Sequence, residues 1–320
     1  MGMWEFFRAP AREIEVCRDD LLVSMLVLAR FVEARDPYTG GHLWRVSRLA
    51  RGLAQASGLS RADVAKVTLG GLLHDLGKIA VPDHVVRKPD KLDDGEYALM
   101  KTHPEAGWRM LASHPLAFLV EGAVRAHHER PDGLGYPLGL KADEIPWEAE
   151  IVGICDAFDA MTSARPYRLG MPVEKALSIM EEGLGKQFSA ELGRQFVALG
   201  RAGKWDHIVG HSDEGLPLGE CMNCAPMLTL RCEQRSGARI FCANCAGEYE
   251  ARWDIGRLAL KPTGRRGAAQ DLTPAADIGL IHRLTNEIYP ALSLIPTERG
   301  RKLLASLRIS EALTRRPARV

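Results

Sequence analysis

Residues 60–78 read Ser60-Arg-Ala-Asp-Val-Ala-Lys-Val-Thr-Leu-Gly-Gly-Leu-Leu-His-Asp-Leu-Gly-Lys78. Val64, Val67, Leu69, Leu72 and Leu73 recur at helical spacing, and Ser60 stands where an N-cap belongs. The stretch predicts an amphipathic helix that ends by delivering a histidine and a carboxylate, His74-Asp75. The same texture continues on both sides. Val46, Leu49 and Leu53 form another stripe with Gly58 as its stop, and from Leu21 to about Leu199 the apolar spacing is helical nearly throughout. Pro115, Pro131, Pro137, Pro146, Pro166 and Pro172 punctuate helices, and no stretch there alternates convincingly as a strand. The fold class read from this pattern is mainly α.

The chain has 320 residues, room for about two domains or for one domain with appendages. Its apolar share of 46% and charged share of 26% are those of a globular protein, which excludes wholesale disorder. Lys plus Arg (42) nearly equals Asp plus Glu (41), so the net charge of +1 gives no global pull toward a polyanion. The most apolar run, Leu21 to Ala29, falls short of the roughly 20 residues a membrane span needs. It follows Arg18-Asp-Asp20 instead of the basic leader of a signal peptide. No membrane segment is expected, a cytoplasmic location is, and the Leu21–Val32 stripe is read as a core or homodimer-packing helix.

Histidines gather in contexts that suit metal. His74-Asp75 ends its helix, and His127-His128-Glu129 precedes the loop Arg130-Pro-Asp-Gly-Leu-Gly-Tyr-Pro137. Imidazole is the commonest metal-ligating side chain, and a carboxylate can bridge two ions while imidazoles complete their shells. Two divalent ions about 3.5–4 Å apart can bind a phosphate ester for in-line attack.

The motifs His74-Asp75-x-Gly77-Lys78, His127-His128-Glu129-x-x-Asp132-Gly133-x-Gly135-Tyr136-Pro137 and Asp156-x-x-Asp159-Ala-Met-Thr-Ser-x-Arg165-Pro166-Tyr167 stand in order along the chain. In them, residues 21–199 strongly resemble the HD-GYP domain, a helical subgroup of the HD phosphohydrolases. The resemblance implies an HD-type helical bundle with metal ligation by His42, His74, Asp75, His103, His127, His128 and Asp156. Asp75 would bridge the ions, and Lys78 would sit beside the scissile phosphate and offset charge on its free oxygens. Tyr136, Arg165 and Arg168 match positions that hold nucleotide phosphates or bases, where the planar guanidinium fork binds phosphate well. Some family members hold a third metal through a Glu one helical turn before the first histidine. That position is Tyr38 here, so two metals are favoured over three. The ligand set, free of thiolate, suits iron or manganese, with zinc as a third candidate.

Simpler readings stand beside these. Glu129 and Asp132 could serve only to shape the loop, with Gly133 and Gly135 supplying positive φ. Asp159 could orient a ligand or Arg165, and Arg165 could be a buried ion-pair partner. His84, His114 and His282 match no motif, and His207 and His211, four residues apart, are read as surface histidines.

Beyond Gly203 the texture changes. Cys221-Met-Asn-Cys224 and Cys242-Ala-Asn-Cys245 have the spacing of a four-thiolate structural zinc site. Met227–Cys232 and Ala238–Phe241 look like strands of a zinc ribbon, and Cys232 is read as a non-ligand. Lys261 to Asp277, rich in Gly, Pro and Ala, is read as a linker. After it come a helix carrying Ile281, Leu284, Ile288 and Leu292 and a second one starting near Thr297. From Ala251 onward there are 13 Lys and Arg against 6 Asp and Glu, a net of +7. With little aromatic interleaving, a solvated or partner-binding face is preferred over nucleic acid for this tail. The expected organisation is an N-terminal extension (1–20), a catalytic domain (21–203), a four-cysteine zinc-ribbon-like module (216–250) and a linker with a basic helical tail (251–320). With about 20 residues before the catalytic region, no sensor or phospho-receiver domain is expected.

The function implied is metal-dependent hydrolysis of cyclic di-GMP to the linear dinucleotide or GMP by a metal-bridging hydroxide. The alternatives are a phosphohydrolase of another nucleotide and a cyclic-dinucleotide-responsive adaptor that contacts signalling proteins through the GYP loop, the ribbon or the tail.

Overall fold

The helix expected after Ser60 forms as α3 (Arg61–Leu73) and is capped by the Ser60 hydroxyl, which accepts from the Asp63 amide. The computed structural model describes residues 18–36, 39–88, 90–164, 170–224, 227–254, 257–273 and 277–292. The readings made on Tyr38, Arg165, Arg168 and the helix from Thr297 lie outside these residues. Before α3 come α1 (Arg18–Arg35) and α2 (His42–Ala56), and the turn after α2 closes on Gly58 at φ +74°. After α3 follow a 3₁₀ turn (Leu76–Ala80), α4 (Asp83–Val86), α5 (Asp94–Met100), α6 (His103–Leu111) and α7 (Glu121–Ala126). Next come α8 (Trp147–Thr162), α9 (Val173–Glu182) and α10 (Ala190–Arg201).

Among these helices α3 is the hub, packing on α2, α7 and α8. Two adjacent glycines make the close approach possible. A Cβ on Gly70 would lie 2.6 Å from the Ala123 Cβ, and one on Gly71 would lie 2.8 Å from the Ser47 Cα. Leu69, Leu72 and Leu73 then join Leu49, Leu53, Val124, Val152 and Phe158 in one apolar core. Leu22, Met25 and Leu26 of α1 are buried in that core, as the sequence stripe anticipated. No helix among the described residues is long and apolar enough to cross a membrane.

The C-terminal part is built from short antiparallel strands: β1 (His211–Asp213), β2 (Leu216–Pro217), β3 (Gly219–Glu220), β4 (Met227–Leu228), β5 (Arg239–Phe241), β6 (Gly247–Asp254) and β7 (Arg257–Arg266). They pair as β1-β2, β3-β4 and β5-β6-β7. Here the linker reading is corrected. Residues 261–266 belong to β7, where Leu258 pairs with Trp253 and Leu260 with Ala251. Leu258 and Leu260 pack onto the cysteine-bearing core, while residues 261–266 are exposed along an edge strand, where a proline and several cations are tolerated.

The tail reading is corrected for its first helix. The helix expected around Ile281 forms as α11 (Ile278–Leu292), but it is no free appendage. It packs on α1 and α3 and buries Leu280, Ile281, Leu284 and Ile288 in the main helical core.

Candidate metal centre

His42 opens α2, His74 follows α3, His103 opens α6, and His127-His128 follow α7. Asp156 and Asp159 stand one turn apart on α8. The fold brings all seven expected ligands together at the converging ends of these helices. Their ligating atoms fall into two triads, His42–His74–Asp75 and His103–His127–His128, each with its atoms within 4.8 Å of one another. Asp75 faces both. Its Oδ2 lies 3.5 Å from His42 Nε2 and 3.5 Å from His74 Nε2, while Oδ1 lies 3.4 Å from His103 Nε2. Asp156 Oδ1 closes the first group at 3.3 Å from His42 Nε2 and 3.8 Å from His74 Nε2.

These spacings suit ions. Ligand atoms about 2.1 Å from a shared cation lie about 3.0–3.4 Å apart, by the geometry of octahedral and tetrahedral shells. The ring tautomers suit them too. The Nδ1 of His74 faces the Gly71 carbonyl at 2.9 Å, that of His103 faces Met100 at 2.8 Å, and that of His127 faces Ala123 at 2.9 Å. His42 Nδ1 faces Asp159 Oδ2 at 2.8 Å. With Nδ1–H donating outward, each Nε2 turns its lone pair inward, the arrangement that fixes histidine for a metal. His74 Nε2 is buried with no hydrogen-bond partner, and so buried a polar atom demands one.

Electrostatics agree. Burial pushes His103 down to about 3 and His128 down to about 4, against the pull of nearby carboxylates, and His127 falls well below its usual value. These imidazoles are therefore neutral and free to ligate. His42 differs: burial would lower it, but Asp159 and Asp75 outweigh that and raise it to about 9. Without metal this ring itself therefore carries the positive charge that the surrounding carboxylates favour, and a bound cation would have to displace its Nε2 proton. Asp75 is also buried, yet Lys78, His74 and His42 hold it well below the carboxylate range.

A pH dependence follows. For His103, His127 and His128 the unfolded chain binds protons near pH 6.5 while the folded chain does so only far lower. Their stability contribution is present above about 6.5 and is lost on acidification; His42 acts oppositely, but alone. Metal-free protein is expected to melt at a lower temperature at pH 5 than at pH 7. An unchanged or higher melting temperature in chelator would contradict this.

Around the site the remaining motif residues find their places. Lys78 Nζ lies 2.7 Å from Asp75 Oδ2. The Tyr136 ring packs on His128 with centroids 4.6 Å apart, and Tyr97 meets Tyr136 edge-on at 6.5 Å. Buried Glu129 accepts the Leu138 and Leu140 amides at 2.6 and 2.9 Å, and Asp132 pairs with Arg130, so both shape the loop. Gly133 has the expected positive φ of +76°, but Gly135 does not. Gly135 is required by close approach instead, since a Cβ there would lie 2.5 Å from the Arg130 nitrogen. Gly77 is tighter still: its Cβ would lie 1.8 Å from the His103 carbonyl. Gly77→Ala is expected to cost about 3 kcal/mol by forcing α6 off the 3₁₀ turn that carries Lys78, measurable by denaturant unfolding. A loss below about 0.5 kcal/mol would show that this contact is slack.

Sequence reasoning missed Arg45. It is 2% exposed, and its guanidinium holds Asp159, the residue that orients His42. Nothing local singled it out, because Arg45, Arg48 and Arg51 recur every three residues along α2 and only Arg45 closes on Asp159.

The four expected cysteines also converge. The Sγ atoms of Cys221 and Cys245, of Cys224 and Cys221, and of Cys224 and Cys242 are each 3.6 Å apart. That is close to the edge of about 3.8 Å for a tetrahedron with metal–sulfur bonds of about 2.3 Å and far beyond a disulfide. Burial alone would raise the Cys221 thiol, but the Tyr249 hydroxyl at 3.2 Å and nearby backbone amides bring it down to about 6. Cys232 stands outside this group, against Arg283 and Glu233.

The HD domain family model matches residues 26–192, just over half of the chain and the whole His/Asp cluster. The chain belongs to the HD domain family. Its HD domain is 44% identical over 163 residues to the cyclic di-GMP phosphodiesterase response regulator RpfG of Xanthomonas campestris pv. campestris, covering 50% of this chain and 43% of that protein. It is 40% identical over 184 residues to a cyclic di-GMP phosphodiesterase of Thermotoga maritima, covering 57% and 50%. It is 37% identical over 195 residues to 3'3'-cGAMP-specific phosphodiesterase 3 of Vibrio cholerae, covering 60% and 42%. The chain thus spans half or less of the length of these relatives. The HD-GYP resemblance read from the motifs holds.

Proposed function

We propose that this chain is a metal-dependent phosphodiesterase of cyclic dinucleotides, with cyclic di-GMP as its first substrate. The observation that carries the reading is the pair of ligand triads with Asp75 between them. His42, His74, Asp75 and Asp156 would hold one divalent ion and His103, His127 and His128, with Asp75, the other; iron or manganese suits this set best. Bound there, the pair would polarise a phosphate oxygen and activate water for attack in line with the leaving group.

The chain's own groups do the rest. Lys78, with 18% of its side chain exposed at the rim, can turn from Asp75 to a non-bridging phosphate oxygen and stabilise charge there as it grows. Tyr136, backed by His128, offers a face for a base or ribose. Arg165 and Arg168 are assigned to substrate phosphates or bases from the sequence motif. Exposed Leu134 and Leu138 on the same loop support a protein contact there as well. The four C-terminal thiols would hold one structural zinc.

The test is chelation followed by reconstitution with iron, manganese or zinc, and side-by-side turnover of cyclic di-GMP and 3'3'-cGAMP with product analysis. Restored hydrolysis of cyclic di-GMP is expected. Faster turnover of 3'3'-cGAMP would move the substrate assignment, as one relative's specificity suggests. If no metal restores hydrolysis of either, the reading is wrong.

A further inference from the structure

Arg45 spends every donor it has. Nε donates to Asp159 Oδ1 at 2.5 Å, and Nη2 donates to Asp159 Oδ2 at 3.0 Å and Ser163 Oγ at 3.1 Å. Nη1 donates to the Gly40 carbonyl at 3.0 Å and to the His211 carbonyl at 2.9 Å. These five bonds take up the full donor capacity of a guanidinium, about five N–H groups in a fixed fork. On one side this fork grips Asp159, which orients His42. On the other it grips β1, the first strand of the C-terminal part.

Two backbone contacts reinforce that second grip. Gly41, at φ +72°, is the N-cap of α2, immediately before His42, and a Cβ there would lie 2.6 Å from the Ser212 Cα. A Cβ on Gly40 would lie 2.7 Å from Thr229 Cγ2, beside β4. The turn that delivers His42 is therefore seated directly under the cysteine-bearing module.

We infer that Arg45 is a positioning residue through which the docked C-terminal module, taken together with the β1 strand that leads into it, holds His42, and with it one of the two metal positions, in place. The other triad, His103–His127–His128, hangs on α6 and α7 and, among the described residues, has no contact of this kind. The module would then set occupancy of one ion rather than of both. This inference rests on the dinuclear reading above.

The experiment is titration of metal-free, full-length protein with Mn²⁺, followed by electron paramagnetic resonance, which separates a coupled pair from a lone ion. Wild type is expected to bind two. Arg45→Lys keeps the charge but cannot span Asp159 and His211 together. It is expected to weaken one site about 10–100-fold, the usual range when a ligand-orienting partner is lost, and to leave a lone-ion spectrum at intermediate metal. Thr229→Arg, a change on the module away from every proposed ligand, should copy this by unseating the module from Gly40. Asp159→Asn serves as the reference for losing the His42 orienter directly.

If Asp159→Asn weakens one site while Arg45→Lys and Thr229→Arg leave both at wild-type affinity, the inference is overturned and the dinuclear reading survives. Equal weakening of both sites in Arg45→Lys would also overturn it, since general destabilisation does not discriminate between them. If wild type fails to bind two ions, the dinuclear reading itself falls and takes the inference with it.

Discussion

Asp75→Asn is expected to reduce turnover of cyclic di-GMP by about 10³-fold or more, several kcal/mol of lost transition-state stabilisation. The substitution is nearly isosteric, so the fold should survive it. What it removes is the second inward-facing oxygen. In the wild type Oδ2 serves His42, His74 and Lys78 while Oδ1 faces His103 at 3.4 Å. An amide keeps one oxygen for one triad and turns an N–H₂ donor toward the other, where a cation should sit. Metal content per chain is therefore expected to fall along with activity. Full metal content with turnover within about tenfold of wild type would rule out a bridging role.

Removing metal from the cysteine cluster should have the second-largest effect. The module's core consists of Leu228, Leu230, Ile240, Tyr249 and Ala251 with Cys221 and Cys242, too little apolar burial to order its small sheet unaided. Zinc held by four thiolates contributes about 10–16 kcal/mol of apparent folding free energy in zinc-finger peptides. Cys242→Ser, or selective zinc extraction, is expected to abolish hydrogen-exchange protection across β5, β6 and β7 and to lower zinc content by one per chain. Unaltered protection in β6 after zinc loss would show that the sheet stands without the metal.

The grouping of the candidate ligands was anticipated because they lie in, or in register with, the short motifs that carry the HD-GYP resemblance, and the resemblance supplied the set. His74-Asp75 and His127-His128 follow helix ends, and the i, i+3 pair Asp156 and Asp159 lies on one face of α8. What was not legible depends on distant contacts. Arg45 drew no reading from the sequence, because its partners are Asp159, 114 residues away, and the His211 carbonyl. The segment after Lys261 reads as a linker because Pro262, Gly264 and Gly267 dominate it, yet as an edge strand β7 needs a partner on one side only. The stripe on α11 showed a helix, but nothing local indicated that α1 and α3 would receive it.

That last packing has a consequence for how the chain is made. The module between α10 and α11 interrupts a single hydrophobic core, so the helical bundle is completed only when residues 278–292 return to it. During synthesis the bundle waits on the order of ten seconds after α10 emerges, at about 5–20 residues per second, with the faces of α1 and α3 that receive α11 still uncovered. The cysteine module emerges inside that interval. A ribosome stalled before Ile278, or a coding sequence cut at Gly203, would yield a bundle with an open apolar face and a strong tendency to aggregate.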